Sequence, residues 1–403
     1  MKILFLCEGD AHAWRSWSGS SKSLVDQLRV DGHEVCCGDF DLRGIDRLAG
    51  AAATFSLGWK RWTASFHSAG VPFRLRSRHA ARHIAAHGRR VDVIVQVGAT
   101  CAPQGRGTTP YFLCCDSNIH MAMHGVATGH SSAVPLSRRE LDAVVRRERA
   151  VYREAAGIFT LSERLRRSFI EDFAVPEDRV HTIHAGPNFP GGRTPPIRRQ
   201  RVREDRPTIL FVGRQFARKG GDLLLRAFQG VRHRISDARL VIAGPPRPSV
   251  AAPGVTFLGD LDKNQPGGWS ALVAAYDAAD VFCLPTRFEP FGIAFIEAMN
   301  FTLPCVGTDA GAVPEMVVDG ETGFTVPVDD LEALTDRLVR LLEDPALAAR
   351  MGRAGRERAE RLFTWRATVQ RMVDRMRPIV ELRSTTATAP VRPVAQCTSN
   401  VSI

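Results

Sequence analysis

Thr208-Ile209-Leu210-Phe211-Val212-Gly213-Arg214, followed after four residues by Lys219-Gly220-Gly221-Asp222, reads as a buried strand, a basic loop and the opening of a helix. The apolar run is short and stops at glycine, as a strand covered on both faces does. A glycine lets a ligand approach the backbone closely, and a helix start points its N–H groups at a phosphate. Arg214 and Lys219 would set cationic charge beside a diphosphate, a task that a metal performs elsewhere. Taken alone, a basic loop after a strand is usually just solvated.

The same alternation extends in both directions. Downstream, strand-like runs at Arg239–Ala243, Val255–Leu258, Val281–Leu284 and Pro304–Gly307 alternate with helical stretches at Asp222–Arg234, Trp269–Ala279, Ile293–Met299 and Leu331–Glu343. Upstream, runs at Lys2–Cys7, Glu34–Cys37, Val91–Val97, Pro110–Cys115, Gly157–Leu161 and Val180–His184 are separated by helices such as Ser21–Val30. Short apolar runs alternating with helices predict an α/β protein with parallel sheets covered on both faces. With 403 residues the chain is too long for one core. The expected organisation is two doubly wound, Rossmann-like domains facing a central cleft. The first domain spans 1–188 and an aperiodic Gly/Pro/Arg linker spans 189–207. The second domain spans 208–383, and a disordered tail spans 384–403. Ligands of such sheets bind beyond the carboxyl ends of the strands, which points to the cleft.

A second stretch carries chemistry: Glu289-Pro290-Phe291-Gly292-Ile293-Ala294-Phe295-Ile296-Glu297. Pro290 fits the first position of a helix. The amides of Phe291, Gly292 and Ile293 would then be the unsatisfied donors of its N-terminus, which attracts anions and hydroxyl oxygens. The glutamates would stand about 12 Å apart if the segment were helical throughout. Paired glycosidase carboxylates stand only about 5–9.5 Å apart, so two ends of one long ligand suit this spacing better. The plain alternative is a pair of glutamates on a solvated helix, which Phe295 and Ile296 argue against.

Together these stretches resemble the retaining glycosyltransferase family 4 (glycosyltransferase group 1), whose fold is the two-domain architecture called glycosyltransferase-B. The matching pieces are Val212-Gly213-Arg214 with Lys219-Gly220, the Glu289/Glu297 pair, Gly311-Ala312-Val313-Pro314-Glu315 and the turn-rich Asp319-Gly320-Glu321-Thr322-Gly323-Phe324. They cover 208–370 closely and 1–190 loosely. The resemblance implies that 1–188 is the acceptor-side domain and 208–383 the nucleotide-sugar-binding domain, its last helix crossing back to the first. The resemblance implies that Gly213, Arg214 and Lys219 hold the donor diphosphate and that Glu297 hydrogen-bonds the ribose. Glu289, with the backbone of Phe291, Gly292 and Ile293, would hold the donor sugar. It also implies transfer with retention to a hydroxyl on a glycan, lipid-linked glycan or metabolite, a nucleotide-diphosphate-sugar as co-substrate, and no cofactor or metal.

In the first half, Gly19 and Ser20 join a strand to a helix, either as a cleft loop that admits a phosphate or acceptor or as a plain turn capped by Ser20 or Ser21. Relatives carry a histidine near the end of the strand Tyr111–Cys115; this chain has Asp116 there, with His120 and His124 downstream. Asp116 is the expected catalytic contact, to the sugar or the acceptor, beside Glu289. A helix-capping aspartate is its rival.

The formal charge of +11 suits phosphate-bearing partners without choosing among them. The segment Phe55–Arg90 holds eight Lys and Arg, four His and no acid, interleaved with Trp59, Trp62, Phe66 and Phe73. It is either a solvated basic face or a patch for an anionic membrane or acceptor. No nucleic-acid-binding motif is present. Two Asp-x-Asp triplets, Asp39-Phe40-Asp41 and Asp260-Leu261-Asp262, match the roughly 1.5 expected by chance and are not assigned to metal. The scattered cysteines read as small apolar residues. With no signal peptide or spanning stretch read, the expected location is cytoplasmic, with peripheral contact at the inner membrane face. Two other functions fit the same composition: a nucleotide-sugar epimerase of this architecture, and a basic nucleic-acid or membrane-surface binder on an inactive transferase scaffold.

Overall fold

The computed structural model describes residues 1–87, 90–131, 133–192, 206–246 and 252–387. The remainder of the linker and tail, 193–205 and 388–403, lies outside the described residues. Two six-stranded, all-parallel sheets form two Rossmann-like lobes. The first contains β1 (Lys2–Cys7), β2 (Glu34–Asp39), β3 (Val93–Val97), β4 (Tyr111–Cys115), β5 (Gly157–Thr160) and β6 (Val180–Thr182) in the order β2-β1-β3-β4-β5-β6. The second contains β7 (Thr208–Val212), β8 (Arg239–Ala243), β9 (Val255–Gly259), β10 (Val281–Leu284), β11 (Cys305–Thr308) and β12 (Gly323–Val326) in the order β12-β11-β10-β7-β8-β9. The central strands are buried along their length because helices cover both faces, which is why they read as continuous apolar runs rather than alternating ones.

One strand was not legible in the sequence. Gly323–Val326 reads as turn-rich, yet Val306 pairs with Phe324 and Thr308 with Val326 in the sheet. Gly323 makes this possible, since a Cβ there would lie 1.9 Å from the Cys305 carbonyl oxygen.

Among the described residues, hydrogen bonds at three places tie the lobes together. The Glu315 carboxylate accepts from the amides of Glu163 and Arg164 at 2.7 Å each, capping a helix of the opposite lobe. The last helix, Trp365–Ala387, crosses back: the Trp365 indole donates to the Pro187 carbonyl (2.9 Å) and Arg371 to that of Ile183 (2.8 Å). This helix continues past Arg383, where the sequence loses its apolar periodicity. The third contact is Asn188, buried at the crossing between lobes. Its side chain donates to the Ser18 carbonyl (2.8 Å) and accepts from the Ser23 hydroxyl (2.9 Å), while its own carbonyl accepts from Lys263 (2.9 Å).

Candidate active site

In the second sheet the strand order reverses between β7 and β10, and the loops beyond their carboxyl ends diverge to opposite sides there. Such a switch point opens a crevice. The β7 loop packs directly on the β10 loop. Gly220 adopts φ +73°, and a Cβ on it would stand 1.8 Å from the Pro285 carbonyl oxygen, so no larger residue fits. Arg287 locks the two loops. Its guanidinium donates to the Ala217 carbonyl (2.6 Å), to Asp222 (2.7 and 2.9 Å) and to Asp329 (2.7 Å).

This fixation buries charge. The Lys219 ammonium donates to the Glu289 carboxylate, and only 14% and 6% of the two side chains are exposed. Burial holds the Lys219 ammonium below its ordinary range, opposed by its attraction to Glu289. Arg218 lies beside the pair, donating to the Phe288 carbonyl and standing 4.0 Å from Glu289. Next to it, Lys263 donates to Glu297 at 2.5 Å, and Glu297 also accepts from the Tyr276 hydroxyl (3.2 Å) and the Asn188 amide (3.3 Å). Removing one partner of such a buried pair costs about 3–5 kcal/mol, because the other charge stays buried.

Between the lobes lies a cavity of about 470 Å³, lined by Lys219, Glu289 and Glu297 on one side and by Trp17, Ser20 and Asp116 on the other. Asp116 follows β4, and burial raises its carboxyl above the usual carboxylate range while a hydrogen bond from the Trp17 indole opposes the shift. Trp17 and Ser18 both take left-handed backbone angles, φ 44° and 56°. Each such residue costs on the order of 1–3 kcal/mol, strain that persists only where the surroundings enforce it. Here the Asn188 hydrogen bond to Ser18 and the Asp116 contact to Trp17 do so.

Of the residues singled out in the sequence, Gly213, Arg214, Lys219, Glu289, Phe291, Gly292, Ile293, Glu297, Asp116 and Ser20 all line this cavity. Gly19 does not; Trp14 packs over it so closely that a Cβ on Gly19 would lie 2.7 Å from the indole ring. Gly19, not Ser20 or Ser21, is the N-cap of the helix Ser20–Val30, because its φ of +91° turns the chain there. Pro290 is not the first helical residue. The helix runs Ile293–Asn300 behind Gly292 at φ +106°, so Glu289 lies in the preceding loop and the all-helical spacing between the glutamates does not hold. Arg214 lines the cavity but turns to Asp260 at 2.9 Å with 55% of its side chain exposed; Arg218 takes the inner position. The capping role considered for Asp116 belongs to Asn118, which accepts from the Met121 amide at 2.8 Å. His120 and His124 do not line the cavity.

Arg218, Arg287, Lys263, Asn188 and Trp17 were missed. Arg218 had a signal, standing beside Lys219 in the same basic loop. Trp17 had one too, in the same loop as Gly19 and Ser20, whereas Arg287, Lys263 and Asn188 are brought to the site by the tertiary fold. Both Asp-x-Asp triplets are spent internally: Asp39 accepts from the amides of Gly9 and Asp41 (2.8 Å each), Asp260 holds Arg214, and Asp262 accepts from Asn264 (2.7 and 2.9 Å). Among the described residues no group of three or more His, Cys, Asp or Glu could hold a metal, and the described cysteines are all free.

Two Rossmann-like lobes with a buried, charge-lined cavity between them define the glycosyltransferase-B architecture. Solved structures share it: sucrose-phosphate synthase from Thermosynechococcus elongatus (TM-score 0.67, 20% identity, 96% of this chain and 100% of that one) and a glycosyltransferase from Rickettsia africae (TM-score 0.66, 14% identity, 94% and 98%). Residues 194–358 match the family described as glycosyl transferases group 1. The alpha-D-kanosaminyltransferase of Streptomyces kanamyceticus is 29% identical over 332 residues, covering 77% of this chain and 78% of that protein. The GDP-mannose-dependent alpha-(1-6)-phosphatidylinositol monomannoside mannosyltransferase of Mycolicibacterium smegmatis is 30% identical over 274 residues, covering 64% and 69%. The chain belongs to the glycosyl transferases group 1 family and is a glycosyltransferase that takes its sugar from a nucleotide-sugar donor.

Proposed function

We propose that this is a retaining, metal-independent enzyme of glycosyltransferase family 4 that transfers a hexose-type sugar to a hydroxyl acceptor. The observation that carries this reading is the buried Lys219–Glu289 pair at the β7/β10 switch point, with Arg218 beside it. Two cations at one place can stabilise a departing nucleoside diphosphate without a metal. The diphosphate draws the Lys219 ammonium toward itself and releases the Glu289 carboxylate to accept from the donor sugar's hydroxyls, helped by the backbone at Phe291, Gly292 and Ile293. Arg214, at the rim, swings from Asp260 to the same phosphates. Glu297, oriented by Lys263 and Tyr276, accepts from the ribose hydroxyls.

In the transfer itself the bond from the anomeric carbon to the phosphate oxygen breaks and a bond to the acceptor oxygen forms on the same face. The acceptor's proton passes to the departing diphosphate. Asp116, across the cavity, contacts the reacting sugar or orients the acceptor hydroxyl. The acceptor is a glycan, a lipid-linked glycan or a metabolite; the mycobacterial relative is named for a phosphatidylinositol mannoside.

A thermal-shift screen against UDP-, GDP- and ADP-sugars identifies the donor, because a bound donor raises apparent stability by mass action. Nuclear magnetic resonance of the product formed from that α-linked donor then reads the anomeric configuration. An α-linked product is expected, and a β-linked product would overturn the retaining assignment.

A further inference from the structure

Five of the ten large apolar side chains exposed among the described residues lie between Ile45 and Trp59: Ile45, Leu48, Phe55, Leu57 (97% exposed) and Trp59. The helix Gly44–Ala53 places Ile45, Leu48, Ala49, Ala52 and Ala53 at i, i+3, i+4, i+7 and i+8, the stripe that a globular protein turns inward. Here that stripe is the exposed one. The opposite face packs on the lobe: Gly50 is buried against Leu42 and Phe66, and Asp46 meets the His79 ring at 2.7 Å. The helix is therefore inverted relative to water.

The exposed surface is also held in shape. Phe55 and Trp59 pack edge-on against Trp62 at 5.6 and 5.8 Å, and the Trp62 indole donates to the Ala51 carbonyl at 3.0 Å. Arg47 and Lys60 are exposed beside the apolar side chains. The sole acid between Arg43 and Arg61 is Asp46, which is paired with the His79 ring at 2.7 Å and is 33% exposed. The patch is thus apolar in its middle, cationic at its border, and built around tryptophan. That is the composition of an interfacial, membrane-lying surface, and anionic headgroups complement its charge.

Composition alone puts a basic patch at Phe55–Arg90. The structure narrows and extends it: within that segment Arg76 is fully buried against Glu8 (3.0 Å), while Phe55, Leu57 and Trp59 at its start join Ile45 and Leu48 of the helix before it. A second copy of this chain fits the surface poorly, because two-fold pairing would bring the same cationic border to both sides, with Asp46 the only acid between Arg43 and Arg61 to meet it. The patch is also joined to the carboxyl-terminal side of the first sheet. The helix Trp59–Ser68 runs from it to His67, which stands 3.7 Å from Glu8 just beyond the carboxyl end of β1.

We propose that residues 44–60 form a membrane-docking surface that seats the N-terminal lobe on an anionic phospholipid bilayer. This does not rest on the donor-site reading. Among the described residues no helix is long and apolar enough to cross a membrane, so the contact is peripheral.

The test is co-sedimentation of the full chain with vesicles of phosphatidylcholine alone or mixed with an equal part of phosphatidylglycerol. The wild type should partition at least about tenfold more strongly onto the mixed vesicles, with part of the binding surviving about 0.5 M NaCl, where surface charge is screened. Leu48→Glu with Leu57→Glu, both exposed and therefore compatible with the fold, should lower partitioning about tenfold or more at an unchanged Tm. Arg47→Glu with Lys60→Glu should remove the preference for phosphatidylglycerol. Equal partitioning of wild type and both variants, or no binding by the wild type, would overturn the proposal. So would analytical ultracentrifugation showing a wild-type dimer that Leu48→Glu with Leu57→Glu dissolves, which would make the occupant a second copy.

Discussion

The loops at the carboxyl ends of the two sheets face the same cavity but are built differently. In the C-terminal lobe, charge is buried, paired and locked. Lys219 meets Glu289, Lys263 meets Glu297, and Arg287 ties the β7 and β10 loops together. In the N-terminal lobe the cavity wall is Asp116 with the indoles of Trp14 and Trp17, Ser18, Ser20, Leu161 and the exposed Arg15, and the backbone is left-handed at Trp17 and Ser18. The outer side of that lobe exposes apolar residues that the other lobe would bury. A leaving diphosphate is the same in every reaction of one donor class, so a rigid pre-charged cradle suits it. Acceptors differ, and the lobe proposed to meet them carries fewer fixed charges.

That contrast can be tested from the N-terminal side. Asp116→Asn keeps the size of the side chain and an acceptor for the Trp17 indole, but removes the charge. Transfer should fall about 10- to 100-fold in kcat/KM, equivalent to roughly 1.4–2.7 kcal/mol of transition-state stabilisation. Nucleoside diphosphate affinity should stay unchanged, since the C-terminal lobe supplies that binding. Steady-state kinetics with nucleotide titration separates the two, and full activity would remove Asp116 from the site.

The smaller expected effect lies away from the cavity. Burial pushes the Glu148 carboxyl up to about 7, against hydrogen bonds from the Ile119 amide (3.1 Å) and the Tyr152 hydroxyl. Its folded value lies above the unfolded one. The associated stability is therefore complete below about 4.5 and is lost as pH rises through about 7. Glu148→Gln should stabilise the protein by on the order of 1–3 kcal/mol at pH about 8 and by almost nothing at pH about 4.5. Thermal melts across that range check the sign, and a uniform effect at both ends would contradict it.

How much of this was legible in the chain follows the same division. Two parallel sheets could be read because fully buried strands show as bare apolar runs, as Thr208–Val212 and Val281–Leu284 do. Lys219, Glu289 and Glu297, which line the cavity, could be singled out because each lies in a stretch whose local pattern marks a loop or helix start beyond a strand. Asn188, Lys263 and Arg287 could not, since each acts on groups brought near only by the tertiary fold. Gly292 misled because a proline ahead of an apolar run suggests a helix start, while the left-handed turn at Gly292 delays the helix to Ile293. The outward stripe of Gly44–Ala53 is periodic in the sequence, but periodicity does not say which way a stripe faces.

In the proposed exchange a nucleoside diphosphate takes the Lys219 ammonium from Glu289. Isothermal titration with the diphosphate of whichever nucleotide the donor screen selects tests it directly, on wild type, Lys219→Met and Glu289→Gln. Lys219→Met should weaken binding about tenfold to a hundredfold, the loss of one charge-assisted hydrogen bond. Glu289→Gln, which frees the ammonium beforehand, should bind the diphosphate as tightly as wild type or more tightly, even though it no longer transfers sugar. Weakened binding in Glu289→Gln, or wild-type affinity in Lys219→Met, would contradict the exchange.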